Sequence, residues 1–114
     1  MGNAVLHFEI QAREPKKLNE FYSSLFEWKI DDSNPMGYGI VDTGTEEGIR
    51  GGIGPAAMGD GGPTFYVQVP DLEVALTRVE ELGGKRVMGP MDVPGGPSIA
   101  LFQDLEGNTI GLLK

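Results

Sequence analysis

There is no cysteine in the 114 residues, so the chain can build no disulfide frame, no thiol nucleophile and no zinc-thiolate site. Histidine occurs once, at His7, and no Ser-His-Asp set is visible around it. Basic residues are scarce: nine Lys and Arg stand against 17 Asp and Glu, for a formal charge of −8. That balance argues against a nucleic acid partner, whose binding rests on neutralising phosphates with Lys and Arg. The basic pairs Lys16-Lys17 and Lys85-Arg86 read as solvated residues near helix ends. No apolar run approaches the roughly 20 residues of a membrane span. The start, Met1-Gly2-Asn3-Ala4-Val5-Leu6, lacks a basic leader, and Leu6 breaks the myristoylation pattern. We expect a soluble cytoplasmic protein with no membrane and no nucleic acid partner. Its length is that of one domain able to bury a core without staples.

What is present is a repeat. With His7-Phe8-Glu9-Ile10-Gln11 laid over Thr64-Phe65-Tyr66-Val67-Gln68, Leu18 falls on Ala75, Tyr22 on Val79, Leu25 on Leu82 and Ile30 on Val87. Near the ends a small loop difference shifts the match, which then sets Glu47-Gly48 on Glu106-Gly107, Gly52 on Gly111 and Ile53 on Leu112. Each half is one supersecondary unit whose apolar face needs a cover, and its twin is the obvious one.

The first half opens with alternation from Val5 to Gln11: Leu6, Phe8 and Ile10 on one face, Val5, His7, Glu9 and Gln11 on the other. Pro15 then starts a helix at its tolerated first position, with Leu18, Phe21, Tyr22, Leu25 and Phe26 as its apolar stripe. The stripe should cover the Leu6/Phe8/Ile10 face. Trp28 to Ile30, Tyr38 to Thr43 and Ile49 to Ile53 read as short strands. Gly54 to Pro63, rich in Gly and Pro, reads as a linker. The second half repeats the order. A strand from Thr64 to Val69 puts Phe65, Val67 and Val69 on one face and Thr64, Tyr66 and Gln68 on the other. Asp71 caps a helix with the stripe Leu72, Ala75, Leu76, Val79 and Leu82, which ends at Gly83-Gly84. Strands follow at Arg86 to Met88, Ser98 to Phe102 and Thr109 to Leu113, the last after the turn Asp104 to Asn108. The pattern predicts an α+β fold: one domain over 1–114, made of two tandem βαβββ modules (1–54 and 63–114) around a linker (54–63). Their eight strands should curl as a mixed sheet around a crevice.

The segments His7-Phe8-Glu9-Ile10, Phe21-Tyr22, Leu25-Phe26-Glu27-Trp28, Tyr66-Val67-Gln68-Val69, Glu80-Glu81-Leu82-Gly83-Gly84 and Asp104 to Gly111 resemble the vicinal oxygen chelate superfamily. That superfamily groups glyoxalase I, bleomycin-resistance proteins and extradiol dioxygenases. The resemblance covers the whole chain and looks closest to a bacterial glyoxalase-like subgroup of unassigned reaction. It implies a divalent ion held by one residue from the first and one from the last strand of each module. Carried over, those positions are His7, Gly52, Thr64 and Gly111. Glycine offers no side chain and a neutral threonine hydroxyl is a poor ligand, so only His7 is a good donor. Even with Glu9, which shares its face, two donors fall short of the three or four that a site needs. We therefore expect no metal and no other cofactor.

Other candidates are weaker. Gly51-Gly52-Ile53-Gly54 has no strand-to-helix turn and no Lys for a phosphate loop. Asp92 with Asp104 and Glu106 lacks calcium-loop spacing. Glu46-Glu47 and Glu80-Glu81 read as solvated surface. The parity of the two first strands predicts a ligand site lined by His7, Glu9, Tyr66 and Gln68, with Tyr38 and Trp28 as further walls and Met36 near the rim. Two function classes stay open. One is a metal-free small-molecule binder of the bleomycin-resistance sort, taking a neutral or cationic polar-aromatic ligand. The other is a glyoxalase-like lyase or isomerase, or a dioxygenase, working through His7 and Glu9 as catalytic residues. A homodimer is expected, because a paired-module sheet leaves strand edges that proteins usually cover.

Overall fold

The computed structural model describes residues 2–56 and 61–114. They form two compact units, His7–Thr64 and Met1–Leu6 with Phe65–Lys114. The same plan governs each: a strand, a helix and three further strands, with the first and last strands paired in parallel.

In the unit His7–Thr64 the elements are β1 (Val5–Ala12, in this unit from His7 onward), α1 (Pro15–Phe26), β2 (Lys29–Asp31), β3 (Gly39–Asp42) and β4 (Gly51–Pro55). They hydrogen-bond in the order β2-β3-β4-β1. Strand β1 runs parallel to β4, with Phe8 opposite Gly51 and Ala12 opposite Pro55; the other pairs are antiparallel. A parallel pair needs a crossover, and α1 supplies it. Glycine at three of the five β4 positions lets aromatic rings lie flat on the sheet. A side chain at Gly51 would enter the Phe8 ring, and one at Gly52 would enter the Tyr38 phenol. Ala12, Val41 and Ile53 are the buried apolar residues here.

Helix α1 is seated differently from the expectation. None of its residues is buried, and Phe21, Leu25 and Phe26 are 56 %, 56 % and 51 % exposed. Pro15, Leu18, Asn19, Tyr22 and Ser23 are its half-covered positions, and Asn19 lies against Gly39. The apolar stripe is wider than the contact face. The helix is turned so that one edge of it meets the sheet, while Phe21 and Leu25 stay in solvent. Glu27 ends the helix in the left-handed conformation (φ 59°), with its N–H on the Ser23 carbonyl. That turn folds Trp28 back onto Phe8 (ring centroids 5.6 Å apart) and Tyr22 (5.5 Å).

In the other unit β5 (Gly62–Gln68, in this unit from Phe65), α2 (Leu72–Glu81), β6 (Lys85–Asp92), β7 (Ser98–Gln103) and β8 (Thr109–Leu113) pair in the order β5-β8-β7-β6. Here the predicted faces hold in their central part, while Phe65 and Leu82, at 41 % and 60 % exposed, lie outside the core. Leu72, Leu76, Ala100 and Leu112 form the core, with Val67, Val69, Ala75 and Phe102 packed on it. Asp71 caps α2 by accepting from the Val74 N–H at 2.9 Å, as read from the sequence. Gly83 takes φ 99° and the Gly84 N–H closes on the Val79 carbonyl. Strand β6 runs on to Asp92, past the predicted end at Met88, and its register against β7 shifts along the way. The Asp104 turn is as expected, with its carboxylate accepting from the Glu106 and Asn108 N–H groups. The predicted linker is partly strand. Gly54 and Pro55 finish β4, Gly62 and Pro63 open β5, and Ala57 to Asp60 lie outside the described residues. Among the described residues no helix is long and apolar enough to cross a membrane.

Candidate functional site

Strand alternation puts Phe8 on the helix-facing side of β1 and His7, Glu9 and Gln11 on the other. The residue that joins His7 to Glu9 comes from a turn. Asn34-Pro35-Met36-Gly37 closes with the Gly37 N–H on the Asn34 carbonyl at 3.0 Å, and Gly37 takes φ 66°. The Asn34 side chain then brackets Tyr38. Its Oδ1 accepts from the Tyr38 N–H at 3.0 Å and the Met36 N–H at 3.2 Å, and its Nδ2 donates to the Tyr38 carbonyl at 2.6 Å. So held, the Tyr38 ring lies over Gly52 and Gly54, where any β-carbon would strike it.

The Tyr38 hydroxyl donates to Glu9 Oε1 at 2.9 Å and lies 2.9 Å from His7 Nε2. Gln11 Nε2 donates to Glu9 Oε2 at 3.1 Å, so both carboxylate oxygens accept hydrogen bonds. The His7 and Tyr38 rings are near parallel (22°) with centroids 6.3 Å apart. Burial lowers the His7 pKa below its ordinary value, and the Glu9 charge only partly opposes it, so the imidazole is neutral at pH 7.

Of the residues proposed from sequence, His7, Glu9 and Tyr38 are therefore brought into one network. Trp28 sits in an aromatic group with Phe8, Tyr22 and Phe26, on the side of β1 away from His7. Met36 is 63 % exposed. In the other unit Tyr66 is buried with its ring on Gly111, and Gln68 is exposed. The backbone of Gln68 accepts from Asn3 Nδ2 and donates to the Ala4 carbonyl. Sequence reading passed over Asn34. Its signal was there, since Asn-Pro-x-Gly followed by an aromatic is a turn whose amide can bond the backbone it encloses.

The same geometry tests the divalent ion that the resemblance implies. The last-strand position Gly52 has no side chain, and the space one would need holds the Tyr38 phenol. Gly111 is likewise covered by Tyr66. Among the described residues no three His, Cys, Asp or Glu side chains gather. His7 and Glu9 are bridged by a phenol instead of converging on an ion, and this donor set does not fit a divalent metal.

Fold and sequence together define the class. The chain belongs to the Glyoxalase/Bleomycin resistance protein/Dioxygenase superfamily, whose family model matches residues 4–112. The protein CFP32 of Mycobacterium tuberculosis and Mycobacterium bovis, which carries the name of a glyoxylase, is 28 % identical over 111 residues. The match takes in 91 % of this chain but 42 % of CFP32, so the chain spans about two fifths of those relatives' length. A superfamily member from Vibrio splendidus 12B01 has the same α+β fold, with a TM-score of 0.64 and 15 % identity over 98 % of both chains. So does a methylmalonyl-CoA epimerase solved with methylmalonyl-CoA and NH4+, with a TM-score of 0.61, 15 % identity and coverage of 97 % and 93 %.

Proposed function

We propose that this protein binds a small organic molecule without the help of a metal ion, on the face of β1 that carries His7 and Glu9. The observation that carries the reading is the seat of Tyr38: its hydroxyl stands over Gly52 and joins His7 to Glu9. Glu9 is held at both oxygens, by the Tyr38 hydroxyl and the Gln11 amide, and so offers a fixed anchor for a ligand. Tyr66 and Gln68, on the matching face of β5, are proposed as further ligand-binding residues. The ligand is a neutral or cationic polar-aromatic molecule. Glu9 and the overall charge of −8 disfavour a phosphate-bearing ligand such as the CoA ester bound by the epimerase.

A small-molecule screen by thermal shift and NMR on the whole chain tests this. A hit is expected to bind the native protein and to lose at least about tenfold in affinity in His7→Ala, roughly what one hydrogen bond to a buried group contributes. A hit whose binding survives both His7→Ala and Tyr66→Phe would place the site elsewhere. Stoichiometric zinc, nickel or iron in the purified protein would overturn the metal-free part of the reading.

A further inference from the structure

We infer that Asn34 and Gly52 are positioning residues of this site, which together mount the Tyr38 phenol so that His7 carries its ring proton on Nε2. The argument starts from proton counting. An ionised carboxylate has no hydrogen to give, so the 2.9 Å contact between Tyr38 and Glu9 is donated by the hydroxyl. A phenol has one hydrogen, and it is spent there. The second 2.9 Å contact, between the same oxygen and His7 Nε2, must then be donated by the imidazole. The chain of donation runs one way, from His7 Nε2–H to Tyr38 Oη–H to Glu9 Oε1. Nδ1 becomes the acceptor nitrogen of the ring, so a ligand that engages it must bring a donor.

Such a chain survives only while the phenol oxygen stays within hydrogen-bond reach of both neighbours. Two features fix it there. Asn34 fixes the backbone on both sides of the Tyr38 side chain, through the N–H at 3.0 Å and the carbonyl at 2.6 Å. Gly52 leaves open the volume into which the hydroxyl projects, which a methyl group would fill. The inference rests on the reading of His7, Tyr38 and Glu9 as the functional group, but its test needs no ligand.

His7 is the sole histidine, so its ring signals in ¹H and ¹⁵N NMR are unambiguous. In the native protein we expect a ring N–H resonance visible in water and a ¹⁵N pattern with Nε2 protonated. Tyr38→Phe removes the acceptor and should abolish the N–H resonance through exchange with solvent. Asn34→Ala and Gly52→Ala should abolish it too, with amide spectra that stay dispersed. Asn34→Asp, which keeps the acceptor for the Tyr38 and Met36 N–H groups, should restore it in part. Should Gly52→Ala fail to fold, the Asn34 pair decides alone. A native ring protonated on Nδ1, or an N–H resonance unchanged in folded Asn34→Ala, would overturn the inference. A failed ligand screen beside an intact N–H signature would sink the proposed function and leave this inference standing.

Discussion

At the scale of single residues, His7 is a neutral imidazole beside a carboxylate. Left to Coulomb attraction alone, Glu9 would raise its pKa; burial is the larger effect and lowers it. The consequence for stability follows from linkage. Below the ordinary value of 6.5 the unfolded chain takes up a proton on His7 that the folded chain resists, so the unfolded state gains ground as pH falls. The contribution of His7 is thus fully present above about 6.5 and is lost as pH drops through the lower folded value. Urea midpoints of the native protein and His7→Gln, compared at several pH values between 8 and 5, should converge toward acid. A difference that widens toward acid would show that the folded protein favours the imidazolium.

At the scale of elements the two helices share a pattern and differ in seating. Helix α2 buries Leu72 and Leu76 and is capped by Asp71, whereas α1 buries no residue and its cap position, Glu14, makes no side-chain cap bond. Asp71→Ala should cost about 1 kcal/mol in a denaturant titration, the usual worth of an N-cap. Glu14→Ala, with no cap bond to lose, should stay within about 0.5 kcal/mol of the native value, as surface changes usually do. Equal losses would show that the Asp71 bond contributes nothing. The strand faces of β1 and β5, both helix starts and the Asp104 turn were legible in the sequence, because each depends on neighbours a few residues away. The rotation of α1 was not, since a stripe of five apolar residues fits several rotations, and the one adopted sets Asn19 against Gly39 of β3, a strand distant in sequence. Nor was the seat of Tyr38. It depends on Gly52 and Gly54 on the next strand and on Asn34 in the turn before it, a meeting that only the register of β3 on β4 brings about. The fold was more legible than the site for this reason.

At the scale of the whole molecule the open question is what covers α1. Phe21, Leu25 and Phe26 are each more than half exposed and lie on one helix within two turns, an arrangement that soluble monomers seldom leave bare. The outer strands β2 and β6 are poorly suited to pairing with another chain. Strand β2 is three residues long and carries Lys29 and Asp31; β6 has shifts of register, a proline at 90 and charges at Lys85, Arg86 and Asp92. Those are the devices by which edges avoid pairing. The occupant we predict is a second copy of α1. An isologous pair laid antiparallel sets the apolar stripe against itself and brings the Lys16-Lys17 end of one helix to the Glu27 end of the other. We therefore expect a homodimer by light scattering at micromolar concentration. Phe21→Glu with Leu25→Glu should convert it to a monomer whose amide spectrum remains dispersed, because neither side chain belongs to a core. A native protein that scatters as a monomer at tens of micromolar, or a dimer that persists in the double variant, would mean that α1 is not where two copies meet.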